Sequence, residues 1–197
     1  NADDAQAQMM SVGLQAPVIC WSSTTQPVAQ LAQAHRDAGA AAAGKDARFV
    51  VIEAIDGADW IVLYTAEGAT RTPVMAVEAI PATFAGRAAH NLSNALQAIG
   101  ATHLLGAPIA AATQALAAFS TSWENTPGRL NIVRESPFTA IIDYAHNPDG
   151  LRGVMRVAQQ LRAPGGRIGM LLGHAGNRLN ADIEELAFVA AEFGPDL

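Results

Sequence analysis

The chain has 197 residues, half of them apolar and 15% charged, with 12 basic against 18 acidic side chains and a net charge of −6. That length carries one large domain or two small ones, and the apolar share suffices for a packed core. The acidic balance argues against long-range attraction to nucleic acid or an anionic membrane, while leaving room for a local basic pocket. Eleven of the basic residues are arginine and Lys45 is the only lysine; arginine favours forked contacts with phosphate or carboxylate. Cys20 is alone in an apolar run, Pro17 to Trp21, and reads as a structural thiol. No signal peptide appears, and no uncharged apolar run approaches the roughly 20 residues of a membrane span. The expectation is a soluble, cytoplasmic protein with no nucleic-acid or membrane partner.

In chain order, Asn1-Ala2-Asp3-Asp4 is a polar turn without a starting methionine, which suggests a beginning inside a longer protein. Pro17 to Trp21 predicts a short strand, and Pro27 to Ala38 a helix closed by Gly39. Arg48 to Ala54 and Asp59 to Tyr64 are β-branched runs around a tight Asp56-Gly57 turn. Thr70 to Ile80 alternates and predicts a third strand, so an antiparallel meander against a helix is expected. Helices follow over His90 to Gly100 and Pro108 to Phe119. Ser120 to Gly128, rich in Ser, Thr, Asn, Pro and Gly, reads as a linker. Beyond it come strands Leu130 to Arg134 and Phe138 to Tyr144, a helix Pro148 to Arg162, a strand Arg167 to Leu172 and a helix Asn180 to Glu192. That alternation predicts a parallel sheet with crossover helices. The stop at Asp196-Leu197, where a further strand is expected, suggests truncation.

Polar chemistry concentrates at Ile141-Ile142-Asp143-Tyr144-Ala145-His146-Asn147-Pro148-Asp149-Gly150. There a buried strand hands over to a helix, with Asn147 as cap and Pro148 at the first helical position. Ligands of open α/β sheets bind at such strand ends. Asp143 suits ribose hydroxyls and His146 a base or phosphate; the plainer reading is a turn-capping Asp and a core histidine. Gly173-His174-Ala175-Gly176-Asn177-Arg178 follows the next expected strand and repeats the pattern. Asn91 and Asn94, three apart on a helix, present two carboxamides to one side, suited to a nucleobase edge or simply to a polar helix face. Arg129, just after Pro127-Gly128, is placed to meet a phosphate from a rigid loop. Gly39 to Asp46 nearly fits a phosphate loop, but Asp46 replaces the hydroxyl and the helix-then-strand context is reversed; it reads as a turn.

Five strings in this order, "NADD" at 1–4, "IPATFAGRAAHNLSNALQAIGA" at 80–101, "PGRLN" at 127–131, "DYAHNPDGLR" at 143–152 and "GNRLNADIEELAFVAAE" at 176–192, resemble the Mur ligase superfamily. The Ile-Pro-Ala-Thr-Phe-x-Gly-Arg lead-in and the Asn-Arg-x-x-x-Asp-Ile run look most like the Mur-ligase-like half of the cyanophycin synthetases. The resemblance implies an α/β fold: residues 1–122 as the C-terminal part of a central ATPase domain, and 127–197 as the beginning of a Rossmann-like C-terminal domain.

It further implies ATP and magnesium in the complete enzyme, a carboxylate activated as an acyl phosphate, and an amine attacking it to form an amide. The partners implied are a small amino acid and a peptide-like acceptor, arginine and poly-aspartate in the cyanophycin case. By motif position Asn91 and Asn94 face the adenine, Arg129 the phosphates, Asp143 and His146 the ribose and base, while Asn177 and Arg178 form a possible substrate loop. Two features depart from the pattern. The phosphate loop is not found in the chain, and Asn177 stands where an Asp usually precedes the Arg. The expectation is a fragment inactive alone. A peptidoglycan-precursor ligase, a metal-dependent hydrolase using Asp143, His146, His174 and His90, and a non-catalytic nucleotide-binding remnant stay open as alternatives.

Overall fold

Val50 and Val51 are neighbours in sequence, yet they enter two different cores on opposite faces of one sheet. Side chains of a strand alternate, so an unbroken apolar run means that both faces are covered. The computed structural model describes residues 1–11, 17–37, 46–65, 68–135, 137–173 and 176–197, which form two units, Asn1–Phe119 and Ser120–Leu197.

In the first unit, helix α1 (Ala5–Ser11) precedes strand β1 (Val18–Ser23), helix α2 (Val28–Asp37), and strands β2 (Asp46–Ile55), β3 (Ala58–Thr65) and β4 (Thr70–Ala76). They make one sheet in the order β1-β2-β3-β4. Asp56 and Gly57, with φ of 51° and 82°, turn β2 into β3, as the Asp-Gly pair requires. Ala47, Phe49, Val51, Val62 and Tyr64 pack with Leu31 and Ala32 of α2 on one face. Val50, Ile61 and Leu63 pack on the other with Leu92, Leu96 and Ile99 of helix α3 (Ala89–Leu104). Each such large side chain contributes about 1.5–3 kcal/mol by leaving water. Helix α4 (Ile109–Ala118) closes the unit, with Ile109 and Leu116 against the α3 core.

Two expectations are corrected here. The sheet is not a pure meander, because β1 pairs parallel to β2; α2 is the crossover that a parallel pair needs. The third strand ends at Ala76 rather than Ile80: Val77–Ala79 and Pro81–Thr83 are 3-10 turns. Thr83, fully buried, donates its hydroxyl to the Val77 and Ile80 carbonyls and so holds that double turn beneath α3. Asp46 opens β2, so a strand does follow the near-match to a phosphate loop; residues 39–45, Lys45 included, lie outside the described residues.

In the second unit strands β5 (Asn131–Glu135) and β6 (Phe138–Ile142) form an antiparallel hairpin. Helices α5 (Pro148–Leu161) and α6 (Asn180–Glu192) follow and pack through Leu151, Met155, Leu186 and Val189. The class is α/β, but the expected parallel sheet is absent among the described residues. Two residues separate β5 from β6, too few for a parallel crossover. Arg167 to Leu172 is not a strand either. Its backbone pairs instead with the last residues: Met170 N donates to Leu197 O (2.9 Å), Asp196 N to Ile168 O (2.8 Å) and Ile168 N to the Asp196 carboxylate (2.7 Å).

Candidate functional site

In the second unit the polar residues gather where β6 passes into α5. Asn147 caps α5 as expected, its Oδ1 accepting from Gly150 N at 2.7 Å, with Pro148 at the first turn. Such a cap satisfies one of the orphan amides of a helix start. Gly128, φ 72°, and Leu130, φ 50°, bend the loop that precedes β5. Asp143 holds this loop: its Oδ2 accepts from Leu130 N at 2.8 Å. Tyr144 N donates to Gly128 O, also at 2.8 Å. One Asp143 oxygen is thus committed to the loop, and the carboxylate remains half-buried.

His146 Nδ1 lies 3.0 Å from Tyr144 O. A carbonyl only accepts, so Nδ1 is the donor of this contact, and Nε2 is the ring nitrogen left to meet a ligand. The exposed Arg129 places its guanidinium carbon 5.6 Å from the centre of the Tyr144 ring. Arg129, Asp143 and His146 therefore share one neighbourhood, organised around Tyr144. A cavity of about 170 Å³ opens beside it, lined by His146, Asn147, Pro148, Arg178, Asp182, Ile183, Glu185 and Leu186. His146 and Arg178 meet there; Asn177, φ 59° and exposed, lies at the turn before Arg178 and outside the lining.

In the first unit Asn91 and Asn94 fall on one side of α3. Asn91 is half-buried and donates its amide nitrogen to Ala82 O at 2.8 Å, which ties α3 to the turn below it and leaves the amide oxygen as its available group. Asn94 is exposed. Arg129, Asp143 and His146 of the second unit and Asn91 of the first are thus each set by contacts within their own unit.

Sequence reasoning missed two residues. Asn131 is buried, donates to Thr121 O and Thr126 O at 3.0 Å each, and accepts from Gly128 N at 2.6 Å; an Asn at the end of "PGRLN", entering a strand, was the available signal. Tyr144 is the other, visible only as an aromatic between Asp143 and His146. His174 lies outside the described residues. Among the described residues no three His, Cys, Asp or Glu side chains converge as a metal site, and no helix is long and apolar enough to cross a membrane.

The Mur ligase glutamate ligase domain family matches residues 128–194. Cyanophycin synthetase of Synechocystis sp. is 36% identical over 126 residues, 64% of this chain and 14% of that protein. Cyanophycin synthetase of Trichormus variabilis is 31% identical over 192 residues, 98% of this chain and 19% of that protein. A UDP-N-acetylmuramoyl-L-alanyl-D-glutamate–2,6-diaminopimelate ligase of Aquifex aeolicus is 44% identical over 54 residues, 27% of this chain and 11% of that protein. The chain thus spans a fifth or less of these relatives. The segment that carries Arg129, Asp143, His146 and Arg178 is the segment that matches the Mur ligase glutamate ligase domain family, and the chain as a whole is similar to cyanophycin synthetases.

Proposed function

We propose that this chain supplies part of the nucleotide- and amino-acid-handling surface of an ATP-dependent ligase that forms an amide through an acyl phosphate. The family is one of ATP-dependent ligases, and the 98% coverage by a cyanophycin synthetase favours arginine as the amine and poly-aspartate as the acceptor. The observation that carries the reading is the grouping of Arg129, Asp143 and His146 around one loop in the second unit. In this reading Arg129 meets phosphate oxygens by forked hydrogen bonds. The free Asp143 oxygen accepts from a ribose hydroxyl, and His146 flanks the base with Nε2 left to meet it. In the first unit the Asn91 oxygen and the Asn94 amide offer an acceptor and a donor suited to a nucleobase edge. Arg178, beside the acidic Asp182 and Glu185, takes the carboxylate of the amino acid.

ATP would bring its magnesium, which neutralises charge on the transferring phosphoryl group. The chain's own residues bind and orient; none of those described is placed as the base that deprotonates the amine. No stretch of the 197 residues fits a Gly-Lys-Thr/Ser phosphate loop in strand-then-helix context, so the chain alone is proposed to bind nucleotide without turning it over. The test is phosphate release from ATP with magnesium, arginine and poly-aspartate. Background rates are expected, and turnover above background would overturn the claim of inactivity. Nucleotide titration separately tests the binding residues.

A further inference from the structure

We propose that Tyr144 is a positioning residue for nucleotide binding, its ring holding Arg129 and His146 in one fixed arrangement; this rests on the nucleotide reading above. Tyr144 is 59% exposed, so it stands at the surface rather than in the core. It nevertheless touches both candidate contacts. The Arg129 guanidinium carbon sits 5.6 Å from the ring centre, inside the range of cation–π attraction. The His146 ring centre is 5.3 Å away at an interplanar angle of 47°, a tilted arrangement that aromatic pairs favour.

The backbone of the same residue fixes the other ends. Tyr144 N donates to Gly128 O, which anchors the loop carrying Arg129. Tyr144 O accepts from His146 Nδ1, which sets the orientation of the imidazole and leaves Nε2 to meet a ligand. A surface arginine ordered only when it meets a phosphate loses side-chain freedom at that moment; one already held over a ring loses less, and binding is tighter. The Tyr144 hydroxyl has no hydrogen-bond partner among the described residues, so the ring rather than the hydroxyl carries the effect. Tyrosine to phenylalanine therefore preserves it, and tyrosine to leucine removes it.

The experiment compares ADP binding with magnesium by the whole 197-residue chain and by Tyr144→Phe and Tyr144→Leu, using titration calorimetry. The Arg129 side-chain proton shifts are followed by NMR in parallel. Tyr144→Phe is expected to bind as the unmodified chain does, and Tyr144→Leu about two- to five-fold more weakly. An upfield ring-current shift of the Arg129 methylene protons is expected in the unmodified chain and in Tyr144→Phe, and is lost in Tyr144→Leu. Unaltered affinity in Tyr144→Leu overturns the positioning role alone, as does a Tyr144→Phe variant as weak as the leucine. Absence of ADP binding by the unmodified chain, with its ring-current shift intact, overturns the nucleotide reading and the role of Tyr144 with it.

Discussion

Asp143→Ala removes the acceptor that holds the Pro127 to Leu130 loop. Leu130 adopts φ 50° while 1% exposed. A left-handed conformation costs a β-carbon residue about 1–2 kcal/mol, offset by burial of the leucine side chain, worth about 1.5–3 kcal/mol, and by the bond from Leu130 N to Asp143. A hydrogen bond to a charged acceptor contributes about 1.5–3 kcal/mol. Asp143 is only half-buried, so the lower end applies. Losing about 1.5 kcal/mol is a tenfold shift in the local opening equilibrium. The assay is amide hydrogen exchange by NMR. Leu130 and Gly128 should exchange about tenfold faster in Asp143→Ala, with amides of the first unit unchanged. Asp143→Asn keeps an oxygen in place and should restore most of the protection. Unchanged exchange in Asp143→Ala, or Asp143→Asn as fast as Asp143→Ala, refutes the claim that this side chain latches the loop as an acceptor.

Asn147→Ala deletes the cap of α5 and should cost about 1 kcal/mol in urea unfolding of the second unit, with Asn147→Ser near the starting value. At Gly100 an added β-carbon would stand 2.7 Å from Cys20 Sγ. Gly100→Ala should therefore destabilise by about 1–3 kcal/mol, and less when combined with Cys20→Ala; additive losses would contradict a close approach at this point. Burial pushes the Cys20 thiol up to about 11, so a thiol reagent at pH 8 should label it slowly when folded and rapidly in denaturant. Burial tends to raise the Asp3 carboxyl, but donors from Ser23, Thr24 and Thr25 outweigh it and hold the group below its usual range. A carboxyl lowered on folding stabilises above its unfolded value of about 3.9, and that stability is lost as pH falls through the folded value. Melting temperatures between pH 6 and 2 should accordingly fall less steeply in Asp3→Asn than in the unmodified chain.

α2, β2 and β3 of the first unit were legible because their rules are local, whereas the helix Ala5–Ser11 was not anticipated. The Asp56-Gly57 turn and the period of β2 and β3 each point one way. The direction of β1 was not, since parallel pairing depends on how α2 crosses the sheet rather than on any residue in the strand. In the second unit Asn147 and Pro148 announced the start of α5 within a residue. Arg167 to Leu172 misled because an apolar run specifies a strand only when neighbours supply backbone partners; here the partners are Asp196 and Leu197. Asp143 and His146 stand out in the sequence as polar residues at a strand end, and Arg129 as an arginine after Pro127-Gly128 entering a strand. That Asp143 spends one oxygen on Leu130, and Asn91 its amide nitrogen on Ala82, is tertiary information that spacing does not carry. Tyr144 was overlooked because its role lies in ring contacts with residues two and fifteen positions away.

The most direct measurement is an NMR titration of the isotope-labelled chain with magnesium ADP, with inorganic phosphate as control. The account predicts saturable shifts at Arg129, Asp143, Tyr144 and His146, beyond those phosphate alone produces. Saturable shifts elsewhere with these four unmoved, or no shifts at all, would contradict it.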